Sequence, residues 1–222
     1  MSVTMKVGDS SPWGRIDYAR ELVPGVVQVG TSSHGGLYLS PERNAAVPEV
    51  FRQTTDGDAG WYEEDCEWAK VAFVFPEVAA QMSEPETLGT IEKTVKQWYP
   101  DAYEAFTGAV IAPGESIVKD RREFLRANAD RLISISAFGD WDDRIPKGWV
   151  GVAASLGGER TRTGPEGYRY FLVPEAEYET RSPYGFVCDP ERHPAWDLNL
   201  LKTEQVLFVS VPQAIEEDSL SP

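Results

Sequence analysis

The sequence is poor in cysteine, in histidine and in long apolar runs. Its 222 residues include only two cysteines and two histidines, and two cysteines do not make a disulfide framework in a chain of this length. No apolar run reaches the roughly 18 residues that a membrane span requires. Residues 1–20 lack the basic start and apolar stretch of a secretory signal. We therefore expect two free thiols and a cytoplasmic location.

Motifs of the common nucleotide-binding and hydrolytic enzymes are also missing. The sequence contains no GxxxxGK[ST], GxGxxG, HExxH or GxSxG string. Two cysteines and two histidines would suffice in number for a zinc site, but zinc ligands normally come as close pairs. Cys188 and His193 have such a spacing, whereas Cys66 and His34 do not. The sequence therefore predicts no metal site and no cofactor.

Basic residues are scarce, and the excess of acidic residues is uneven. The chain has 36 Asp and Glu against 21 Lys and Arg, for a net charge of −15, which disfavours DNA binding through a broad basic surface. Residues 51–115 carry 13 acidic and four basic residues, a net charge of −9, whereas residues 116–147 are near neutral. Such a concentration is either a solvated face or a surface for a basic partner.

Hydrophobic periodicity predicts an α+β fold. Residues 14–40 have the pattern of a β-meander with a glycine-rich turn, and Ser40-Pro41-Glu42 is a helix start. The next predicted helices cover residues 61–75 and 85–98, followed by a short helix from Pro100 and another after Ser116. Strands are predicted at 132–136, 149–156, 168–173 and 206–211. This order predicts an N-terminal meander, central helices and C-terminal antiparallel strands, in one mixed or antiparallel sheet with helices on one face.

The chain shows no stretch with the composition of an inter-domain linker. We therefore predict a single α+β domain over residues 12–212. Residues 1–11 are polar and are expected to form a flexible N-terminus, and the acidic residues 213–222 are expected to form a disordered tail. The sequence does not indicate an oligomeric state.

One carboxylate interrupts the apolar stripe of the predicted helix 61–75. At 100° per residue Asp65 lies on that stripe between two tryptophans, with Glu67 and Lys70 on the opposite face as an i,i+3 ion pair. A carboxylate on an apolar face is costly unless it is paired or hydrogen-bonded. Asp65 is then either a structural carboxylate, held by an arginine or a backbone amide, or the partner of His34 in a cleft.

His34 lies in a Ser-Ser-His-Gly-Gly turn, whose glycines permit a positive φ and a close backbone approach. Its imidazole either bonds the local backbone or faces a ligand. In the second case His34 is a general base oriented by Asp65, with Glu64 at the edge of the site. Cys66 is a further candidate, although neighbouring carboxylates disfavour a reactive thiolate.

Three stretches, residues 11–43, 60–77 and 170–190, resemble one family of proteins. The strings SHGG at 33–36 and WYEED at 61–65 are the most specific parts of the match. The sequence is similar to an uncharacterised domain of unknown function from bacteriophages, plasmids and genomic islands of bacteria. The resemblance implies no activity. It implies a mobile-element accessory protein rather than a housekeeping enzyme.

Charge and resemblance together favour a non-enzymatic protein that binds and inhibits a host macromolecule. The most concrete form is a counter-defence inhibitor, anti-restriction or anti-CRISPR-like, whose carboxylates compete with nucleic acid for a basic channel. The expected partner is a host protein or nucleoprotein complex with a basic surface, with no direct binding to DNA or membrane. The alternative is a small hydrolase or transferase centred on His34 and Asp65, and a purely structural role stays open. The predicted binding surface consists of Asp56, Asp58, Glu63, Glu67, Glu84 and Glu86.

Overall fold

The structure, a computed structural model, describes residues 5–52, 60–82, 88–160 and 167–199. The chain divides into two compact units, Met1–Asp120 and Arg121–Pro222. Each unit has its own four-stranded antiparallel sheet, so the α+β class is confirmed. The single domain over residues 12–212 and the flexible N-terminus stay predictions. The predicted strand 206–211 and the predicted tail lie outside the described residues.

The first unit opens with the predicted meander. Val26–Gly30 and Gly35–Leu39 pair along their full length, with Val29 opposite Gly36. β-Branched residues favour this extended pairing because their side chains pack well on a pleated surface. The strands are β1 (Ser10–Ser11), β2 (Gly14–Arg15), β3 (Tyr18–Val23), β4 (Val26–Gly30), β5 (Gly35–Leu39) and β6 (Trp61–Glu63), and β3 to β6 form the sheet in that order.

Ser40 ends the meander and caps the first helix. Its Oγ accepts a hydrogen bond from the Arg43 N–H at 3.2 Å, and Pro41 occupies the first turn. The helix start predicted here is confirmed, as are the helices near 85–98, after Pro100 and after Ser116. The helices are α1 (Pro41–Ala45), α2 (Trp68–Val74), α3 (Pro76–Ala79), α4 (Leu88–Trp98), α5 (Pro100–Thr107) and α6 (Ile117–Ala127).

The stretch predicted as one helix over residues 61–75 is a strand, a turn and a shorter helix. Trp61 and Tyr62 belong to β6, which pairs with β5, and α2 begins only at Trp68. The apolar residues do have a helical spacing. Adjacent Trp61 and Tyr62 are nevertheless both buried in a strand, because the two faces of β6 contact two different hydrophobic clusters. The helix prediction was wrong for residues 61–67.

The sheet of the first unit is covered on both of its faces. Side chains alternate along the strands, so that Val26 and Leu37 join the cluster that includes the helices, while Val27 and Trp61 join a second cluster. Trp13 packs against this second cluster, with its ring 5.6 Å from that of Trp61. Coverage of both faces holds β5 and β6 in a fixed position.

Gly36 is a point of close approach between β5, β6 and the Trp13 ring. A Cβ at this position would overlap the Tyr62 carbonyl and lie 2.6 Å from the ring of Trp13. We expect Gly36→Ala to lower the free energy of unfolding by about 2 kcal/mol, as overpacking typically does. Gly89→Ala in α4, where a new Cβ meets nothing within 4 Å, should raise it by up to about 1 kcal/mol. Urea unfolding measures both, and equal losses would contradict the close approach.

The second unit is built on a sheet in the order β10-β7-β8-β9. The prediction of one sheet was wrong: the described strands form two four-stranded sheets and the two-stranded β1-β2 pair. The predicted strands at 132–136, 149–156 and 168–173 are confirmed with small shifts at their ends. The elements are β7 (Leu132–Phe138), β8 (Trp149–Leu156), β9 (Arg169–Pro174), α7 (Glu175–Tyr178) and β10 (Val187–Cys188).

The helices of the described residues do not have the form of a membrane span. None of them is both long and apolar enough to cross a bilayer.

Candidate functional site: the acidic turn and His34

His34 lies at the tip of the hairpin between β4 and β5. The turn is closed by Thr31, whose N–H and Oγ1 donate to the His34 carbonyl at 2.7 and 2.9 Å. The His34 N–H in turn donates to Thr31 Oγ1 at 3.1 Å. The turn is therefore held by its own hydrogen bonds, while the imidazole side chain stays 56% exposed.

Strand β6 places two carboxylates beside this histidine. The Glu64 N–H donates to the Gly35 carbonyl at 3.0 Å, which continues the pairing of β6 with β5. Glu63 Oε1 lies 3.7 Å from His34 Nδ1. One donor atom from each of His34, Glu63 and Glu64 lies within 4.8 Å of the other two. We call these three residues the His34 cluster.

The glycines of the SHGG string allow this approach. A Cβ on Gly35 would lie 2.5 Å from Glu64 Oε2 and 3.0 Å from the Val29 carbonyl oxygen. Neither Gly35 nor Gly36 has a positive φ. Of the two features that these glycines permit, a positive φ and a close approach, the structure shows the close approach.

Asp65 is exposed and lies in the turn between β6 and α2. The prediction that Asp65 points into the core was wrong, because α2 begins only at Trp68 and Asp65 lies in the turn before it. Its N–H donates to Glu63 Oε2 at 2.8 Å, which fixes the Glu63 carboxylate. Among the described residues, the carboxylate within 4 Å of His34 is therefore that of Glu63, which was predicted only as part of a binding surface.

Glu67 and Lys70 form the predicted ion pair, but they form it in the core. The Lys70 ammonium donates to Glu67 Oε1 at 2.9 Å, and it lies 4.6 Å from the centre of the Tyr99 ring. Burial lowers the pKa of Lys70, and the hydrogen bond to Glu67 opposes that shift. Burial, together with the Glu67 charge, raises the pKa of Tyr62 to about 12.

The predicted binding surface is only partly described. Glu67 is buried, and the Glu63 side chain is 16% exposed. The exposed carboxylates of this region are Glu64 and Asp65. The remaining members of the predicted surface, which lie outside the described residues, are Asp56, Asp58, Glu84 and Glu86.

The acids between residues 60 and 115 differ in their partners. Among those with a lysine or arginine nitrogen within 4.0 Å are Glu67, Glu77, Glu92, Glu104 and Glu115. Within the described chain, no lysine or arginine comes this close to Glu63, Glu64 or Asp65. We call Glu63–Asp65 the acidic turn. It concentrates carboxylates that basic side chains of the described chain do not neutralise.

Cys66 follows the acidic turn but contacts a different group. Its Sγ lies 3.0 Å from the Tyr99 hydroxyl oxygen, and the side chain is half-buried. Burial and the hydrogen bond with Cys66 raise the pKa of Tyr99. The structure thus places Cys66 against Tyr99, the residue between α4 and α5, and outside the His34 cluster.

The two thiols are expected to react at different rates. Cys188 is buried, and burial raises the pKa of its thiol to about 12, whereas Cys66 is half-buried. We expect one of the two thiols to react with a disulfide reagent in the folded chain, and both in denaturant. Cys66→Ser should abolish the reaction of the folded chain. A fast reaction that persists in this variant would contradict the assignment.

His193 has a structural role in the second unit. Its Nδ1 accepts the Asp189 N–H at 2.9 Å, so the proton of the neutral ring lies on Nε2, 3.2 Å from Glu177 Oε1. Both ring nitrogens are thereby engaged, and the imidazole links the segment after β10 to α7. The spacing of Cys188 and His193 reflects this local packing.

Fold and site together define an α+β protein in which a hairpin tip brings a histidine to an acidic turn. The family model for a domain of unknown function, DUF7007, matches residues 6–129. The chain belongs to this family, and the matched residues include the His34 cluster and the acidic turn. No curated protein matches the chain, and no solved structure does.

Proposed function

We propose that the chain is an accessory protein that binds a basic surface of a host protein or nucleoprotein complex through its acidic turn. One observation carries the proposal. Glu63, Glu64 and Asp65 have no lysine or arginine of the described chain within 4.0 Å, whereas other acids between residues 60 and 115, Glu67 and Glu104 among them, do. Carboxylates without cationic partners attract a basic surface over about a Debye length, roughly 8 Å at physiological salt.

The acidic turn is also well ordered for recognition. Strand pairing with β5 fixes its backbone, and the Asp65 N–H holds the Glu63 carboxylate at 2.8 Å. A partner that binds groups already held in place loses less conformational freedom than one that must order a loop. This rigidity distinguishes the turn from a general acidic coat.

The resemblance to phage and plasmid proteins supports a finer form of the proposal. In that form the chain is a counter-defence inhibitor in the cytoplasm of a host bacterium, and its acidic turn occupies a channel that otherwise holds nucleic-acid phosphates. The net charge of −15 supports this form as well, because it repels nucleic acid while it attracts the protein that binds nucleic acid.

A second candidate function is hydrolysis or group transfer. It is favoured by the 3.7 Å distance between His34 Nδ1 and Glu63 Oε1, since a carboxylate beside an imidazole can orient a general base. Glu63 then takes the role that the sequence assigns to Asp65. The discriminating test is a panel of ester and phosphoester substrates. Turnover that His34→Gln abolishes and Asp65→Asn leaves unchanged would favour the enzyme.

The main proposal is tested by capture of partners from a host lysate. The baits are the full chain, the double variant Glu64→Gln/Asp65→Asn, and the control Glu175→Gln/Glu179→Gln. The control changes the net charge equally, at the exposed first residue and the exposed C-cap of α7. We expect the same protein on the wild-type and control baits, released by salt, and its loss from the acidic-turn variant. Equal capture by all three baits would show that the acidic turn is not the binding site.

A further inference from the structure

We propose that the His34 cluster is a binding site for a divalent first-row transition-metal ion of the Zn²⁺ type. The cluster combines one imidazole nitrogen with two carboxylates, all within 4.8 Å of one another. Imidazole favours zinc and its neighbours, whereas sites for magnesium and calcium consist of oxygen atoms alone. The histidine therefore distinguishes this cluster from an ordinary acidic loop.

The distances fit ligands that are not bonded to each other. The 3.7 Å between His34 Nδ1 and Glu63 Oε1 is longer than a normal hydrogen bond, which ends near about 3.2 Å. Two ligands of one tetrahedral zinc ion, each with a bond of roughly 2.0–2.2 Å, lie roughly 3.3–3.6 Å apart. Closing the cluster on an ion therefore needs shifts on the order of 1 Å. The exposed His34 and Glu64 can move that far.

The backbone brings the three ligands together before any ion binds. His34 comes from the hairpin tip, and Glu63 and Glu64 come from the end of β6, which pairs with β5. The missing side chain of Gly35 leaves the space that Glu64 Oε2 occupies, at 2.5 Å from where a Cβ would lie. Glu63 is further held by the Asp65 N–H. Two strands thus supply a set of ligands that is largely assembled.

Three protein ligands leave at least one position of a zinc ion open. Structural zinc sites normally have four protein ligands, and sites with three keep a place for water or another group. An ion in the His34 cluster would therefore stay accessible to solvent, consistent with the 56% exposure of His34. The same carboxylates serve the proposed partner surface, so the ion and a basic partner should weaken each other's binding by the same factor.

The test is calorimetric titration of the chelator-treated full chain with ZnCl₂, followed by MgCl₂, in the absence of any partner. We expect one zinc ion per chain and much weaker binding of magnesium. Loss of an outer-shell contact alone weakens metal binding roughly 10- to 100-fold, so His34→Gln and Glu64→Gln should each weaken zinc binding at least about tenfold. Asp65→Asn removes only a neighbouring charge and keeps the backbone N–H that holds Glu63, so it should weaken zinc binding much less than either ligand variant does.

The melting temperature, measured with and without zinc, distinguishes a variant that lacks a zinc ligand from one that is unfolded. Zinc should raise the melting temperature of the wild type and of Asp65→Asn, and it should not raise that of His34→Gln, whose far-UV circular dichroism stays native. Equal affinities in the wild type and the His34 and Glu64 variants would overturn the inference, as would loss of zinc binding in Cys66→Ser alone. Because no partner is present, these outcomes are independent of the proposed function.

Discussion

Replacing Lys70 with methionine should lower the free energy of unfolding by about 3–5 kcal/mol, because it leaves the Glu67 carboxylate buried without its cation. The two side chains are 3% and 7% exposed and join at 2.9 Å. Methionine retains much of the apolar stem that packs near Tyr62 and Tyr99, so the loss comes mainly from electrostatics. Urea unfolding of the two chains measures it.

Two further variants serve as controls for the buried pair. The double variant Glu67→Gln/Lys70→Met removes both charges and should recover most of the loss, since a buried pair is often no better than a neutral replacement. Glu123→Gln breaks the exposed pair with Arg126 and should change the free energy of unfolding by less than about 0.5 kcal/mol. A loss below about 1 kcal/mol in Lys70→Met would contradict a buried, charged Glu67.

The same pair makes stability depend on pH. Because the pKa of Lys70 is lowered in the folded chain from its ordinary 10.5, the unfolded chain binds more protons between the two values. The Lys70 contribution to the free energy of unfolding therefore rises with pH across that interval. Tyr62 acts oppositely above about pH 10, because its pKa is raised to about 12 in the folded chain. Lys70→Met should remove the first trend and keep the second.

Neutralising Glu64 and Asp65 together should slow association with the basic partner roughly tenfold or more at low ionic strength. These carboxylates are exposed, and the described chain places no lysine or arginine within 4.0 Å of them, so the full attraction is available to a partner. The difference between the double variant and the wild type should shrink as salt is added, because salt screens exposed charges. Stopped-flow association at several salt concentrations measures both effects.

Much of the fold follows from local sequence signals. The valines of β4, the cap at Ser40 and the proline at the start of α5 each act within a few residues, and each predicted element is present. The strands β7 and β8 are predicted in the same way, although their place in a separate sheet is not. Proline, β-branched residues and helix caps restrict the backbone of residues next to them in the sequence, so their effects can be predicted locally.

The positions of Asp65 and Glu63 could not be predicted, because they depend on contacts between residues that are distant in the sequence. Trp61 and Tyr62 fit a helical period, and only the edge of β5, more than twenty residues earlier, turns them into a strand. The change from helix to strand moves Asp65 out of the core and brings Glu63 to His34. The strings SHGG and WYEED locate the site in the sequence. The packing of Gly35 against Glu64 then decides which carboxylate the histidine meets.

The proposed binding of a basic partner depends on the position of the acidic turn rather than on the total charge of the chain. The most direct test compares the association rates of two double variants with the purified partner at low salt. Both Glu64→Gln/Asp65→Asn and Glu175→Gln/Glu179→Gln remove two negative charges from a chain of net charge −15. If the acidic turn is the binding site, association should be at least about tenfold slower for the first variant and less than about twofold slower for the second. Equal rates for the two variants would contradict it.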